Sequence, residues 1–482
     1  MMTRGGLIGG QYRPLTNDQL HQIHETALRA LEEIGVQVNN DRALEIFASK
    51  GARVSGRLAK LPRSMVEDAI ASAPSRVVLC GREEKHDLVL EDGRVYMGTG
   101  GTALNVLDLE GKRRRSNLED VKQIARLVDT LENIHFYLLP VYPNELPKKV
   151  VDVNRFYAGL ANTTKHVMGG IYAVEGTLNV IRMAEEIVGG AGALRERPIV
   201  SFITLVISPL KIDDLYGEML IEIARQGIPV AIPSEPQCGS TAPVTLAGNL
   251  VLFAAETLCG VTLAQLVNPG APVLCGHVGT IADMRTMSYI SGAVEMGLLN
   301  AAGAQLAQFW QLPYYATGGM SDSKIPDVQA GYESAITLLT VALAGANYIH
   351  DAAGLLDFAL TASYEKYVID DEIIGMVLRA LRGIEVNGDS LAFDVISHVG
   401  PGGHFLAEKH TIQHMRGEFF YPQLSDRRGY EDWVAQGAKD GRERAREMAE
   451  KILAEHQPLP IPPDVDKRLQ ESIPGLLRGR GA

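Results

Sequence analysis

Eight times between Tyr96 and Asp351 the chain runs a short apolar stretch, a loop, and then a long amphipathic segment. Few architectures accept that rhythm. A strand followed by a helix brings the chain back parallel to its start, and eight such units close naturally into a (β/α)8 barrel. In barrel enzymes the loops after the strands build the active site. The apolar stretches are residues 95–98, 135–142, 166–172, 199–207, 229–233, 273–276, 313–317 and 347–349. Most break off in glycine, proline, tyrosine or histidine. Continuous apolar runs of this length suit strands covered on both faces.

The intervening helices carry their own signals. Ser116 and Glu119 read as a capping box, and the helix they open has Leu118, Val121, Ile124, Ala125 and Val128 on one face. Residues 213–225 repeat the pattern with Leu215, Met219, Leu220 and Ile223, and Gly227 ends it. Segments 246–267 and 288–311 are apolar enough to suggest membrane spans of about 20 residues. Glu256 and Gln265 interrupt the first, Glu295, Asn300, Gln305 and Gln308 the second, and both occupy helix slots of the repeat. They are predicted as deeply packed or subunit-contacting helices, which points to a homo-oligomer and not to a membrane protein.

A bare barrel needs about 250 residues, and this chain has 482. Residues 1–94 read as an N-terminal α/β cap. It has a capping box at Thr16 and Gln19 before a helix at 18–34, helices at 41–50 and 63–72, and short strands at 76–80 and 87–90. Residues 95–382 form the barrel. Residues 383–482 form a C-terminal helical extension, with helices expected at 403–416 and 430–455. The stretch from Gln457 on, rich in proline and arginine, is expected along the surface or on a neighbouring subunit. The predicted class is therefore α/β: a (β/α)8 TIM barrel with an N-terminal cap and a C-terminal extension.

A net charge of −12 argues against nucleic-acid binding, which needs a basic face. Residues 1–11 lack the apolar core of a secretory signal, and Cys80, Cys238, Cys259 and Cys275 lack metal-ligand spacing. Reduced thiols in the cytoplasm are the expectation. Cys238 and Cys275 sit near strand ends, where either a nucleophile or a small buried residue fits. There is no phosphate-binding or dinucleotide fingerprint; Gly98 to Gly101 and Gly400 to Gly403 have the wrong spacing. His410 and His414 lie four apart, but the residues between them include no acid, so no metal is expected.

The polar groups at strand ends are then the candidates: Glu235, His277, His350 and Asp351, with Asp322 and Lys324 in the seventh loop. Rings gather in the same places, at Tyr96, Phe136, Tyr142, Tyr172, Tyr314, Tyr315, Phe358 and Tyr364. A mouth with many rings and few charges suits a cation that cannot donate hydrogen bonds, such as a quaternary ammonium, held by the negative faces of the rings. The plainer alternative is that the rings pack the barrel wall.

Several strings resemble the trimethylamine methyltransferase family. They are Gly239-Ser240-Thr241-Ala242-Pro243-Val244-Thr245-Leu246-Ala247-Gly248 and Gly318-Gly319-Met320-Ser321-Asp322-Ser323-Lys324 with Asp327, Gln329 and Glu333. Tyr364-Glu365-Lys366 through Asp370-Asp371-Glu372, and Gly400-Pro401-Gly402-Gly403-His404-Phe405-Leu406-Ala407, complete the set. The resemblance spans nearly the whole chain. It implies a corrinoid-dependent methyltransferase that passes a methyl group from a methylamine to the cobalt of a separate corrinoid protein. Founding members carry pyrrolysine in the barrel. Every position here is a standard amino acid, which resembles the branch that uses quaternary amines such as glycine betaine.

The chemistry is consistent with that branch. A quaternary ammonium departs as a neutral amine, so its leaving nitrogen needs no general acid. The barrel has only to hold one methyl outward and exclude water. A betaine's carboxylate needs donors, for which His350 comes first, then His277 and the backbone N–H groups of Gly318 and Gly319. The corrinoid would be borrowed from its carrier protein, docking over the strand ends. Two other readings stand beside this one. One is a non-catalytic quaternary-amine binder; the other is an unrelated barrel lyase or hydrolase using Glu235 or Asp351 with His277 as acid and base.

Overall fold

The computed structural model describes residues 6–477. Eight parallel strands follow one another in chain order: β1 (Arg94–Thr99), β2 (Tyr137–Leu138), β3 (Val167–Gly170), β4 (Val200–Ile203), β5 (Val230–Ser234), β6 (Val273–His277), β7 (Tyr314–Thr317) and β8 (Tyr348–Ala353). Each pairs with the next from β2 to β8, and β8 pairs with β1. The remaining seam, between β1 and β2, is a single parallel bridge from Gly98 to Phe136. The His135 N–H donates to the Met97 carbonyl there at 2.7 Å, and the Thr99 N–H reaches the Phe136 carbonyl at 3.4 Å. No continuous ladder spans that seam among the described residues. Gly98 permits the approach, because a Cβ at this position would run into the Phe136 ring.

A long helix follows each strand: α1 (Leu118–Thr130), α2 (Lys148–Asn162), α3 (Val174–Val188), α4 (Asp214–Gln226), α5 (Leu246–Val267), α6 (Val294–Trp310), α7 (Val328–Leu343) and α8 (Tyr364–Arg382), with a short helix, Ala191–Glu196, added after α3. The capping box at Thr16 and Gln19 forms as predicted, and Gly227 ends α4 in the left-handed region with φ 71°. At α1 the prediction is one residue early. Asn117 and Asp120 make the reciprocal box, while the Ser116 hydroxyl donates instead to the Tyr142 carbonyl at 2.6 Å.

Helix α5 is apolar on every side. It is the one described helix long and apolar enough to cross a membrane, yet 78% of that window is buried within the protein. Its outer side packs against the N-terminal helices Asn17–Arg29 and Arg63–Ser72. The apolar exterior that suggested a subunit contact is thus covered by the chain itself. A second N-terminal device, the antiparallel pair Val77–Leu79 and Leu88–Leu90, joins the apolar cluster on the inner face of the sheet with Tyr96, Phe136, Met168, Leu274, Tyr315 and Tyr348. One continuous core runs from Leu20 through the sheet to Leu469.

The C-terminal segment departs from expectation in three places. The helix expected at 403–416 is Lys409–Glu418, and the one expected at 430–455 is broken into Tyr430–Ala435 and Gly441–Glu455. Gly437 and Ala438, at φ 97° and 51°, interrupt it. The stretch from Gln457 contains a helix, Pro463–Ser472, whose Leu469 is fully buried and whose Asp466 accepts a hydrogen bond from the Tyr157 hydroxyl at 2.5 Å. Residues 478–482 of that stretch lie outside the described residues.

Candidate functional site

A cavity of about 670 Å³ lies over the C-terminal ends of the strands. Its floor is apolar: Leu138, Ile203, Pro233, Val278 and Met320. Its walls carry rings, Tyr172, Tyr216, Tyr289, Tyr315 and Phe358, and exposed Ser288 and Leu360 sit at its rim. Its ionisable lining consists of Glu235, His350, Asp351 and the tyrosines; none of the lining residues is lysine or arginine.

The aromatic wall is a column built up from the inner face. Phe136 stacks on Tyr348 at 3.6 Å between centroids, Tyr348 stacks on Tyr315 at 5.7 Å, and Tyr315 meets the His350 ring at 4.1 Å. Period two explains the succession, since Tyr348 and His350 point to the same face of β8. Across the cavity Tyr172 meets Tyr142 edge to face at 5.4 Å.

His350 and Asp351 form the polar end. The His350 Nε2 lies 2.9 Å from the Thr317 hydroxyl, and its Nδ1 lies 2.8 Å from Asp351 Oδ2, off the line of a good hydrogen bond. Only Nε2 is thus engaged by a hydrogen bond; Nδ1 faces the Asp351 carboxylate without making one. Asp351 adopts φ 60°, and its Oδ1 is buried with no hydrogen-bond partner. An unpaired buried carboxylate oxygen is costly unless a ligand supplies the missing charge. Gly100 touches this carboxylate, and a Cβ there would collide with Oδ1.

Glu235 follows β5 and is exposed where it lines the cavity. Burial within the protein raises its pKa; His350 opposes the shift and the Asp351 carboxylate adds to it. Burial also pushes the Tyr289 and Tyr315 hydroxyls well above the usual tyrosine range.

The loop after β8 is held in a demanding conformation. Asp357, Phe358 and Ala359 take φ 57°, 60° and 63° in succession, where non-glycine residues cost about 1–2 kcal/mol each. Arg113 pairs with Asp357 at 3.0 Å, Thr361 donates to the same carboxylate at 3.1 Å, and the Lys324 ammonium sits 4.2 Å from the Phe358 ring centroid. Deeper in, Asp370 accepts from the Gly354 N–H at 2.7 Å and pairs with buried Lys366 at 2.7 Å. These ties fix Phe358 at the cavity wall.

Of the residues singled out from sequence, the structure brings together His350, Asp351, Glu235, Tyr172, Tyr315 and Phe358 around the cavity. Tyr142 stands behind Tyr172. Four assignments need correction. His277 faces outward, stacked on Phe253 at 4.4 Å with its Nε2 2.9 Å from Asn249 Oδ1, and burial lowers its pKa to about 3; it forms no acid–base couple with Glu235. Tyr96 lies at the other end of the sheet, its hydroxyl accepting from the Gly6 and Val89 N–H groups at 3.0 and 3.2 Å. Phe136 supports Tyr348 from beneath and does not line the cavity. The N–H groups of Gly318 and Gly319 are spent on the His350 carbonyl and the Thr337 hydroxyl, so they cannot serve a ligand carboxylate. Cys238 and Cys275 are buried free thiols with pKa values raised by burial, which disfavours a thiolate nucleophile. His410 and His414 do acquire an acidic neighbour, exposed Asp389, 2.9 Å from His414 Nε2; both histidines are half-buried, and His410 Nε2 lies 3.2 Å from the Asp389 carbonyl.

Sequence reasoning missed Tyr216 on α4, Tyr289 in the hairpin after β6, Thr102 in the loop after β1 and Gly170 at the end of β3. It also missed Arg155 on α2, fully buried behind Thr102 and Tyr172.

A ring-walled cavity over the carboxyl ends of parallel strands defines an α/β protein built to hold a small ligand. The family model described as Trimethylamine methyltransferase (MTTB) matches residues 8–474, and the chain belongs to that family. Among its relatives is a glycine betaine methyltransferase of Desulfitobacterium hafniense (strain Y51), 37% identical over 96% of this chain and 97% of the relative. A trimethylamine methyltransferase MttB of Desulfitobacterium hafniense (strain DSM 10664 / DCB-2) is 40% identical over 95% of this chain and 92% of its own length. The MttB of Methanosarcina barkeri is 38% identical over 97% and 96%. The crystal structure of the Methanosarcina barkeri monomethylamine methyltransferase MtmB superposes with a TM-score of 0.53 at 12% identity, covering 94% of this chain and 89% of that one. At that identity the likeness concerns the fold alone.

Proposed function

We propose that this protein moves a methyl group from a quaternary amine of the betaine kind to the cobalt of a corrinoid held by a separate carrier protein. The observation that carries this reading is the pairing, in one cavity, of aromatic walls with two carboxylates, Glu235 and Asp351, and no lysine or arginine in the lining. Such a cavity favours a permanent cation. The relatives named for glycine betaine and trimethylamine support the reaction class.

The chain's own part is positioning. Tyr172, Tyr315 and Phe358 hold the methylated nitrogen, the Asp351 and Glu235 carboxylates balance its charge, and the apolar floor excludes water. The amine leaves neutral, so no group here needs to deliver a proton. The corrinoid supplies the reduced cobalt that takes the methyl group, and the cavity rim at Ser288 and Leu360 is where its carrier would dock. The apolar side chains Met284 and Met287 stand exposed on the hairpin that contributes Ser288.

The single bridge between β1 and β2 supports closure of the sheet into a (β/α)8 barrel, with residues 1–94 as cap, 95–382 as barrel and 383–482 as extension. The four buried unpaired cysteines support a cytoplasmic location. Exposed apolar residues of the extension, among them Val386, Phe393 and Leu406, offer a second copy a surface for a homo-oligomer.

Mixing the protein with glycine betaine and chemically reduced cobalamin tests the reaction. Appearance of the methylcobalamin spectrum together with dimethylglycine is the expected result. Betaine binding with an unchanged cobalt spectrum would reduce the protein to a binder.

A further inference from the structure

The buried arginine behind the cavity has no carboxylate within ion-pair distance among the described residues, although its charge is felt by Asp152 on the same helix. Arg155, on α2, is fully buried. Its Nη2 makes two long hydrogen bonds, to the Thr102 hydroxyl and the Leu139 carbonyl, both at 3.3 Å. Its Nε and Nη1 are buried with no hydrogen-bond partner. Asp152, one turn earlier on the same helix, spends its oxygens on the Tyr172 N–H at 3.1 and 3.2 Å, and no carboxylate forms an ion pair with the guanidinium among the described residues. A guanidinium offers five donors and stays charged at any working pH. Leaving it buried with most donors idle is destabilising, and that cost is removed when an anion arrives.

Two of its neighbours identify where such an anion would come from. Thr102, its hydrogen-bond partner, and Tyr172, whose ring centroid lies 5.6 Å from the guanidinium carbon, both line the cavity. On the same loop, two residues before Thr102, Gly100 touches the Asp351 carboxylate. Two residues of chain reach at most about 7 Å. One stretch of wall therefore has a negative pole at one end, Asp351 with Glu235 nearby, and a positive pole at the other. A zwitterion with a methylated nitrogen and a carboxylate carries a charge for each pole; a simple tertiary amine or tetramethylammonium carries one for the first alone.

We infer that Arg155 receives the substrate's carboxylate, reached between Thr102 and Tyr172, and so selects zwitterionic betaines over methylated amines that lack an acid group. This rests on the quaternary-amine reading above and replaces His350 as the carboxylate anchor, because its Nε2 is held by Thr317 and its Nδ1 lies 2.8 Å from the Asp351 carboxylate, which repels a second anion.

Calorimetric titration of the full-length protein with glycine betaine and, separately, with tetramethylammonium tests it. Wild type is expected to prefer glycine betaine by at least about tenfold, as a charge-assisted pair requires. In Arg155→Gln, betaine affinity should fall about 10- to 100-fold while tetramethylammonium affinity changes less than about twofold. Equal losses for both ligands, or no loss for either, would overturn the assignment and leave the quaternary-amine reading standing. If wild type binds neither ligand, that reading falls and this inference with it. Should Arg155→Gln fail to fold, wild type alone decides through glycine betaine methyl ester, which keeps the cation and lacks the anion. Binding as weak as tetramethylammonium supports the anchor; binding equal to glycine betaine overturns it.

Discussion

His350 Nδ1 lies 2.8 Å from the carboxylate of Asp351, its immediate successor in the chain, and the two share one end of the cavity only because Asp351 adopts φ 60°. In a regular strand the side chains of successive residues point to opposite faces. Leaving that geometry turns the Asp351 carboxylate back toward the cavity and leaves its Oδ1 unpaired there. A cationic ligand is the partner this arrangement lacks. Replacing Asp351 by asparagine keeps the shape and removes the charge. Affinity for tetramethylammonium should fall by about 1–3 kcal/mol, less than the ~4 kcal/mol of a unit-charge pair at 4 Å in an effective dielectric of 20. Titration calorimetry reads this directly, and undiminished affinity would remove Asp351 from the site.

Glu235 makes ligand binding depend on pH. Burial raises its pKa in the free protein; His350 opposes the shift and the Asp351 charge adds to it. A bound cation favours the ionised form and lowers that pKa. Binding therefore releases a proton from Glu235, and affinity must tighten as pH rises through the raised free-state value. Measured from about pH 5 to about pH 8, the affinity for tetramethylammonium should increase with pH in the wild type and stay nearly flat in Glu235→Gln. A flat wild-type profile would separate Glu235 from the cation.

Tyr315 bridges the supporting stack and the cavity, between Tyr348 at 5.7 Å and His350 at 4.1 Å. Its ring face, not its hydroxyl, is what a methylated nitrogen would use. Tyr315→Phe should leave quaternary-ammonium affinity within about twofold, whereas Tyr315→Leu should weaken it by about 0.5–2 kcal/mol. Equal effects of the two substitutions would assign the work to the hydroxyl.

The eight-unit rhythm was legible because glycine, proline and polar residues cluster after apolar runs, and the strand ends it marked supplied Glu235, Tyr315, His350 and Asp351. Which of those residues face the cavity was harder to read, because one residue of phase reverses a strand. On β6 the inner face takes Leu274, and the cavity takes Val278 just beyond the strand's end. His277 falls out of phase, toward Phe253 and Asn249. The same alternation puts Tyr348 and His350 inward on β8. Tyr216, Tyr289 and Arg155 come from helices and a hairpin whose placement depends on tertiary packing, so no local pattern marked them. The α1 cap was displaced for a related reason. Ser116 and Asn117 can both cap a helix, and tertiary hydrogen bonds to the Tyr142 and Ala103 carbonyls claim Ser116.

Glu256 gives stability its own pH dependence, distinct from that of binding. It lies in the middle of α5, fully buried, where its carboxyl accepts from the Ser208 hydroxyl at 2.7 Å and the Leu210 N–H at 2.8 Å. Burial outweighs those bonds and raises its pKa from 4.5 to about 7. A carboxyl whose folded-state pKa exceeds its unfolded value stabilises the fold most when protonated. Its contribution is complete below the unfolded value and is lost as pH rises to the folded one. The shift corresponds to roughly 3 kcal/mol at 1.36 kcal/mol per pKa unit. Glu256→Gln keeps a hydrogen-bonding amide in place and removes the charge. Chemical denaturation at about pH 5 and about pH 8 should show the wild type losing stability on going up in pH and Glu256→Gln losing less by roughly 1–3 kcal/mol. The variant should also leave binding of tetramethylammonium unchanged, since Glu256 does not line the cavity. A wild type and variant with parallel stability profiles would show that Glu256 is ionised in the fold at no cost, against the burial argument.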